Sequence, residues 1–165
     1  MPEFLSIEVT GADELRADLA NALHRLQTPR DLMVRLGAVF EANINRRFAT
    51  KRDPQGQPWA PLTESTKASY AAEDKGARRG TLLERTRQMR KSLAANAGND
   101  FVELGMNRNT DGGRWNLALL HETGTARMER RGIFLADPVA GTLGKQDEAD
   151  LQAEVVAFMD DVFGV

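Results

Sequence analysis

Between a long amphipathic run and the middle of the chain lies the segment Arg52-Asp53-Pro54-Gln55-Gly56-Gln57-Pro58-Trp59-Ala60-Pro61-Leu62, and no helix can pass through it. Pro54, Pro58 and Pro61 each lack an amide donor and bias the preceding residue toward extended backbone. Gly56 permits a left-handed turn between them. Trp59 sets one large ring in the middle of this stiff, polar connection, where it must pack on something. The segment reads as a rigid elbow pinned by Trp59, so whatever precedes it is held at a fixed angle to whatever follows.

Before the elbow the period is helical. Leu15, Leu19, Ala22, Leu23 and Leu26 form one apolar stripe on a helix spanning about Ala12 to Gln27. Thr28-Pro29-Arg30-Asp31 predicts a restart, with Thr28 as N-cap and Pro29 in the first helical position. The second helix is expected from Pro29 to about Thr50, burying Leu32, Leu36, Val39, Phe40, Ile44 and Phe48. Asn43 falls at the edge of that face and needs a hydrogen-bond partner if buried. Arg46, Arg47, Lys51 and Arg52 load its C-terminal end, where cations suit the helix dipole.

After the elbow, Thr63-Glu64-Ser65-Thr66 can cap a short helix through about Ala72, and the charged, glycine-bounded residues 73–80 read as a mobile loop. Thr86 is expected to cap another helix with Met89 and Leu93 inward. Leu93, Ala95 and Ala97, the turn Gly98-Asn99-Asp100, and Phe101, Val102, Leu104 and Met106 predict a hairpin. A second polar loop runs from Asn107 to Gly113, followed by a short apolar helix or turn from Trp115 to His121. Ile133-Phe134-Leu135 reads as a last strand and about Lys145 to Phe163 as a closing helix. Helices first, then strands, then a final helix indicate an α+β fold, with N-terminal amphipathic helices and a small antiparallel sheet. The 165 residues fit one domain, with mobile loops near 73–80 and 107–114.

Composition narrows the function classes. There are no cysteines, which excludes disulfides, thiolate metal sites and cysteine nucleophiles. No apolar run approaches the roughly 18 residues that span a bilayer. The first residues show no signal-peptide pattern, so the chain is expected to work where it is made. The net charge of −2 is uneven: residues 30–91 carry +7, residues 1–29 carry −3, residues 92–144 carry −1 and residues 145–165 carry −5. Either these basic and acidic faces are solvated or paired within one molecule, or they dock copies head to side or meet nucleic acid.

A catalytic constellation is not visible. His24 lies beside the first helix's stripe and reads as a surface residue. His121-Glu122, next to a glycine turn, could in principle bind metal or move a proton. Two histidines this far apart do not give the spaced ligand pairs of metal sites, so a structural hydrogen bond is the default for His121. Arg46, Arg47, Lys51, Arg52, Arg78, Arg79, Arg85, Arg87, Arg90 and Lys91 could neutralise phosphates, but few aromatics interleave them and no DNA-reading motif accompanies them.

Several motifs recur in the order seen in the phage virion morphogenesis family, the group holding P2-like tail completion and Mu-like prophage morphogenesis proteins. The elbow resembles that family's P-x-G-x-x-W-x-P-L block, carried here by Pro58, Trp59, Pro61 and Leu62, with Thr66-Lys67 at the expected distance. Leu82-Leu83, Thr86, Met89 and Ser92-Leu93 resemble its L-x-x-T-G-x-L-x-x-S segment, Ala118 to Gly124 its Y-A-x-x-H-Q-x-G turn, and Arg131 to Leu135 its R-P-F-L-G strand. The resemblance covers roughly residues 30 to 165. Departures are Arg87 for the glycine after Thr86, Leu117 for tyrosine, Glu122 for glutamine, and Gly132-Ile133 interrupting the Arg-Pro-Phe pattern. The resemblance implies a non-enzymatic structural role without cofactor: tail completion or head–tail joining, as a ring of identical subunits contacting connector or tail proteins. It places the chain in the host cytoplasm during assembly and then in the virion neck or tail, away from membranes. Trp59 is then an elbow pin or a hot spot facing a neighbour, and His121 and Gly124 shape a turn. Arg131, Phe134 and Leu135 complete the implied structural and interaction set, with nucleic-acid binding at the DNA channel as the alternative.

Overall fold

A computed structural model describes residues 12–72, 81–110 and 112–164. The strand-like start at Phe4 to Val9 and the charged loop 73–80 lie outside the described residues. Among those described, the order is α1 (Ala12–Gln27), α2 (Arg30–Thr50), α3 (Glu64–Ala72), α4 (Gln88–Lys91), β1 (Leu93–Ala97), β2 (Val102–Met106), α5 (Leu117–Thr123) and α6 (Lys145–Phe163). The strands form the expected antiparallel hairpin, with Leu93 opposite Met106 and Ala97 opposite Val102. The fold is α+β, closed by a C-terminal helix.

Helix α2 is the axis of the molecule. The hairpin and α6 both pack on it. The hairpin approaches closely because Gly37 has no Cβ: one placed there would meet Val102 Cγ2 at 3.1 Å and Ala95 Cβ at 3.2 Å. Of the six residues expected to be buried on α2, Ile44 and Phe48 are fully buried, while Leu32, Leu36, Val39 and Phe40 are only partly covered. The deep core lies at the C-terminal end of α2, where Ile44 and Phe48 meet Trp59, Met89, Met106, Ala118 and Ile133.

Two caps differ from expectation. Thr28 does not cap α2; its hydroxyl donates to the His24 carbonyl at 2.9 Å, closing the end of α1, and Pro29 occupies the N-cap without a side-chain bond. Pro29 itself has no amide and lies just outside the helix. Thr86 likewise gives way to Arg87 as N-cap of α4, in left-handed backbone with φ 58°, while the Thr86 hydroxyl accepts from Gln88 N at 3.4 Å. Thr63 accepts from Thr66 N at 3.3 Å, in keeping with its capping role at α3.

The two oppositely charged segments meet inside one molecule. Asp161 on α6 accepts from both Arg25 and Arg35 at 2.8 Å, Arg35 also lies 3.6 Å from Glu154, and Arg46 reaches Asp150 at 3.2 Å. Arg25 and Arg35 place their guanidinium groups 5.4 Å and 5.8 Å from the centre of the buried Phe158 ring. Exposed pairs of this kind are screened by solvent and add little to stability.

Candidate functional site

The elbow, α5 and the segment from Arg130 to Leu135 converge on one polar hub. Lys51, in left-handed backbone at φ 58°, ends α2 with its amide on the Arg47 carbonyl. The chain then turns around Asp53, whose carboxylate accepts from Gln55 N at 2.9 Å and Gln57 N at 2.8 Å, and an isolated bridge joins Arg52 to Pro58. The turn delivers Trp59 inward to 4 % exposure, edge-on to Phe48 with ring centres 5.4 Å apart. Its indole N–H donates to the Gly132 carbonyl at 2.9 Å. Trp59 is therefore the pin of the elbow in this chain.

Helix α5 is fixed from its start. Asn116 accepts from Leu119 N at 3.1 Å and donates to the Met106 carbonyl at 2.8 Å, so one side chain caps α5 and ties it to β2. Gly124 ends α5 at φ 73°, and a Cβ there would press on Arg130 N at 3.1 Å and Met128 O at 3.2 Å. The chain reverses and returns, with Arg131 N on the His121 carbonyl at 2.8 Å.

On the return, Glu122 takes the place of a neighbouring strand. Its carboxylate accepts from Ile133 N at 2.5 Å, Phe134 N at 2.9 Å and Leu135 N at 3.0 Å, and from Arg130 at 3.3 Å. Residues 133–135 are consequently not the strand their side chains predict; their amides bend around one carboxylate. Arg130 also donates to the Glu122 carbonyl at 2.8 Å and the Leu135 carbonyl at 2.5 Å. Arg131 turns the other way and donates to the Ala60 and Pro61 carbonyls at 2.8 and 2.9 Å. With four donors on its two oxygens, Glu122 is a fastening group rather than a metal ligand or base. Among the described residues no cluster of His, Asp and Glu could hold a metal ion, and no helix is long and apolar enough to cross a membrane.

Of the residues singled out from sequence, Trp59, Pro61, Gly124, Arg131, Phe134 and Leu135 come together at this hub. Leu62, His121 and Thr86 line an adjoining cleft of about 450 Å³, with Arg131 as a shared wall. Pro58 is exposed at the elbow's bridge. Sequence reasoning missed Arg130 and the acceptor role of Glu122. It also missed Glu84, buried between Lys51 at 2.5 Å and Arg90 at 2.8 Å. Burial alone would raise the Glu84 carboxyl, but the hydrogen bonds from Lys51 and Arg90 outweigh it and hold it below the ordinary range. A signal existed for Glu122: an acid in the last helical turn, before a glycine reversal and two returning arginines.

Among the described residues, His121 is the one histidine whose titration the fold displaces strongly. Its Nδ1 is buried without a partner among the described residues. Burial first, and the Arg131 cation second, push its pKa down to about 4. The folded pKa lies below the unfolded value, so the stabilisation is fully present above about pH 6.5 and is lost as pH falls toward 4. Urea unfolding is expected to lose about 3 kcal/mol across that window, and His121→Leu should flatten most of the slope. A slope that survives the substitution unchanged would assign it elsewhere.

The geometry defines an α+β scaffold in which buried charges fasten segments to one another. The chain belongs to the phage virion morphogenesis family, whose model matches residues 11–151, and this gives it a structural or assembly role in the phage particle. No curated protein and no solved structure matches it.

Proposed function

We propose that this protein completes the phage tail or joins head to tail, binding further copies of itself and other virion proteins in the host cytoplasm before residing in the neck or tail. The observation that carries the reading is the leucine row on α1. Leu15, Leu19 and Leu23 are 60 %, 56 % and 56 % exposed, although the stripe has the spacing of a buried helix face. Helix α1 contacts α6, with the Arg25–Asp161 pair near its C-terminal end, and its leucines stay outside the chain's own core. An apolar row of this kind is covered when a neighbouring subunit packs against it. Because the opposed charges are engaged within the molecule, association is expected to depend on the leucines and to survive added salt.

The test is light scattering after size-exclusion chromatography, across concentration and salt, on the natural chain and on Leu19→Asp/Leu23→Asp. The natural chain is expected to associate at high concentration and the variant to stay monomeric, with a melting temperature within about 3 °C of the original because no core contact is lost. A chain that is monomeric throughout, together with a variant that still completes tails in phage complementation, would overturn the reading. Tight, salt-sensitive binding to duplex DNA would favour the nucleic-acid alternative.

A further inference from the structure

We propose that the cleft beside the elbow is a receptor for an acidic peptide segment of an assembly partner, taking up a carboxylate carried on a partly apolar stem. The inference rests on the assembly reading and names the chemistry of the partner.

Among the described residues the buried charges are otherwise balanced: Arg47 by Asp147, Glu84 by Lys51 and Arg90, and Glu122 by Arg130. Arg131 is the exception. It is 7 % exposed, and among the described residues its guanidinium donates to the Ala60 and Pro61 carbonyls and forms no ion pair with a carboxylate. A buried cation without a counter-charge is costly, and a carboxylate arriving from outside would remove that cost. Arg131 lines the cleft, as does His121, whose buried Nδ1 also has no partner among the described residues.

The rest of the wall agrees with this ligand. Arg87 and Leu83 both line the cleft, and both hold left-handed backbone, at φ 58° and 59°. That conformation is strained for a residue other than glycine, and strain of this kind clusters at sites that bind something. Arg87 adds a further cation at the rim, in a lining that also holds Arg85 and Arg108. Leu62, Met89 and Leu117 supply apolar surface below it. A cation at the floor, apolar sides and a volume of about 450 Å³ suit one or two side chains of an extended peptide. Duplex DNA presents phosphates on a convex surface and would meet the rim without reaching Arg131 or the apolar wall.

The experiment is a ¹⁵N NMR titration of the full chain with four probes: acetyl-Leu-Glu-Leu-Asp-amide, its Leu-Gln-Leu-Asn counterpart, sodium phosphate and a short DNA duplex. The acidic peptide is expected to give saturable shifts at the amides of Thr110, Leu117 and His121, with the neutral peptide at least about tenfold weaker. Arg87→Gly relieves the backbone while deleting the rim cation. It should therefore melt no lower than the natural chain and yet bind the acidic peptide about tenfold more weakly. Silence of these amides toward the acidic peptide, an equal response to the neutral one, or a response only to phosphate or DNA would each overturn the proposal. Unchanged affinity in Arg87→Gly would do the same. A silent cleft in a chain whose leucine variant loses assembly would sink this inference and leave the assembly reading standing.

Discussion

Glu122→Ala is expected to lose about 4 kcal/mol or more of folding free energy, since each buried donor stranded without an acceptor costs about 1–3 kcal/mol. Three backbone amides, of Ile133, Phe134 and Leu135, end on this carboxylate together with Arg130; alanine leaves the three amides without an acceptor, while Arg130 keeps the Glu122 and Leu135 carbonyls. The segment they belong to also receives the Trp59 indole and the Arg47 guanidinium, so its loosening reaches the elbow and α2. In a chain of this size the loss corresponds to a melting point lower by roughly 10 °C. Glu122→Gln keeps one acceptor oxygen but gives up the charge that strengthens these bonds, and about 2 kcal/mol is expected. Thermal unfolding by circular dichroism, with urea titration of the same variants, reads both. An alanine variant within about 1 kcal/mol of the natural chain would show that water replaces the carboxylate at little cost, and the hub would lose its assigned role.

Asp147→Ala should be comparably severe, at about 3–5 kcal/mol, because it leaves an arginine buried without its partner. Asp147 is 1 % exposed and accepts from the Arg47 guanidinium, from Asn43 at 3.1 Å and from the Gly144 amide at 3.3 Å. Burial drives the Arg47 pKa down, and the Asp147 charge opposes that shift. The arginine's other arm donates to the Ile133 carbonyl at 2.6 Å. Gly144 keeps α6 close: a side chain there would overlap the carbonyl oxygen of Pro54. The control is Arg47→Met/Asp147→Leu. An apolar pair needs no counter-charge, so the double variant should be more stable than Asp147→Ala alone, with a coupling energy of about 2 kcal/mol. Additive losses would mean the two side chains do not act as a pair, whatever their proximity.

The local parts of this fold were legible because their causes are local. The bounds of α1 and α6 follow from apolar spacing, and the hairpin from alternation around Gly98 to Asp100. The proline spacing made the elbow stiff, and a lone tryptophan inside it had to pack on something; only the fold shows that its cover is the chain's own core. Asn43 could be seen to need a partner, and finds it in Asp147. What was not legible depends on groups far apart in sequence. Ile133-Phe134-Leu135 has strand-like side chains, yet a strand is defined by where its amides go, and these go to a carboxylate on the preceding helix. The basic and acidic segments were visible as charge, but only the packing of α6 on α2 shows that they meet within one molecule. The α1 stripe had the pattern of a core face, and spacing alone does not tell whether its cover comes from the same chain.

The span of the fastening bonds fixes when the protein can fold as it leaves the ribosome. Arg47 waits for a partner 100 residues downstream, Asn43 for one 104 residues away, and Trp59 for a carbonyl 73 residues on. Until α6 has been translated, the first half carries a cation and an amide that cannot be sealed into any interior, so α2 and the elbow stay open. Closure of such distant contacts is slow and comes late. A nascent subunit therefore finishes its interior only once α6 has emerged, and a chain terminated before α6 cannot present a finished elbow to a growing particle.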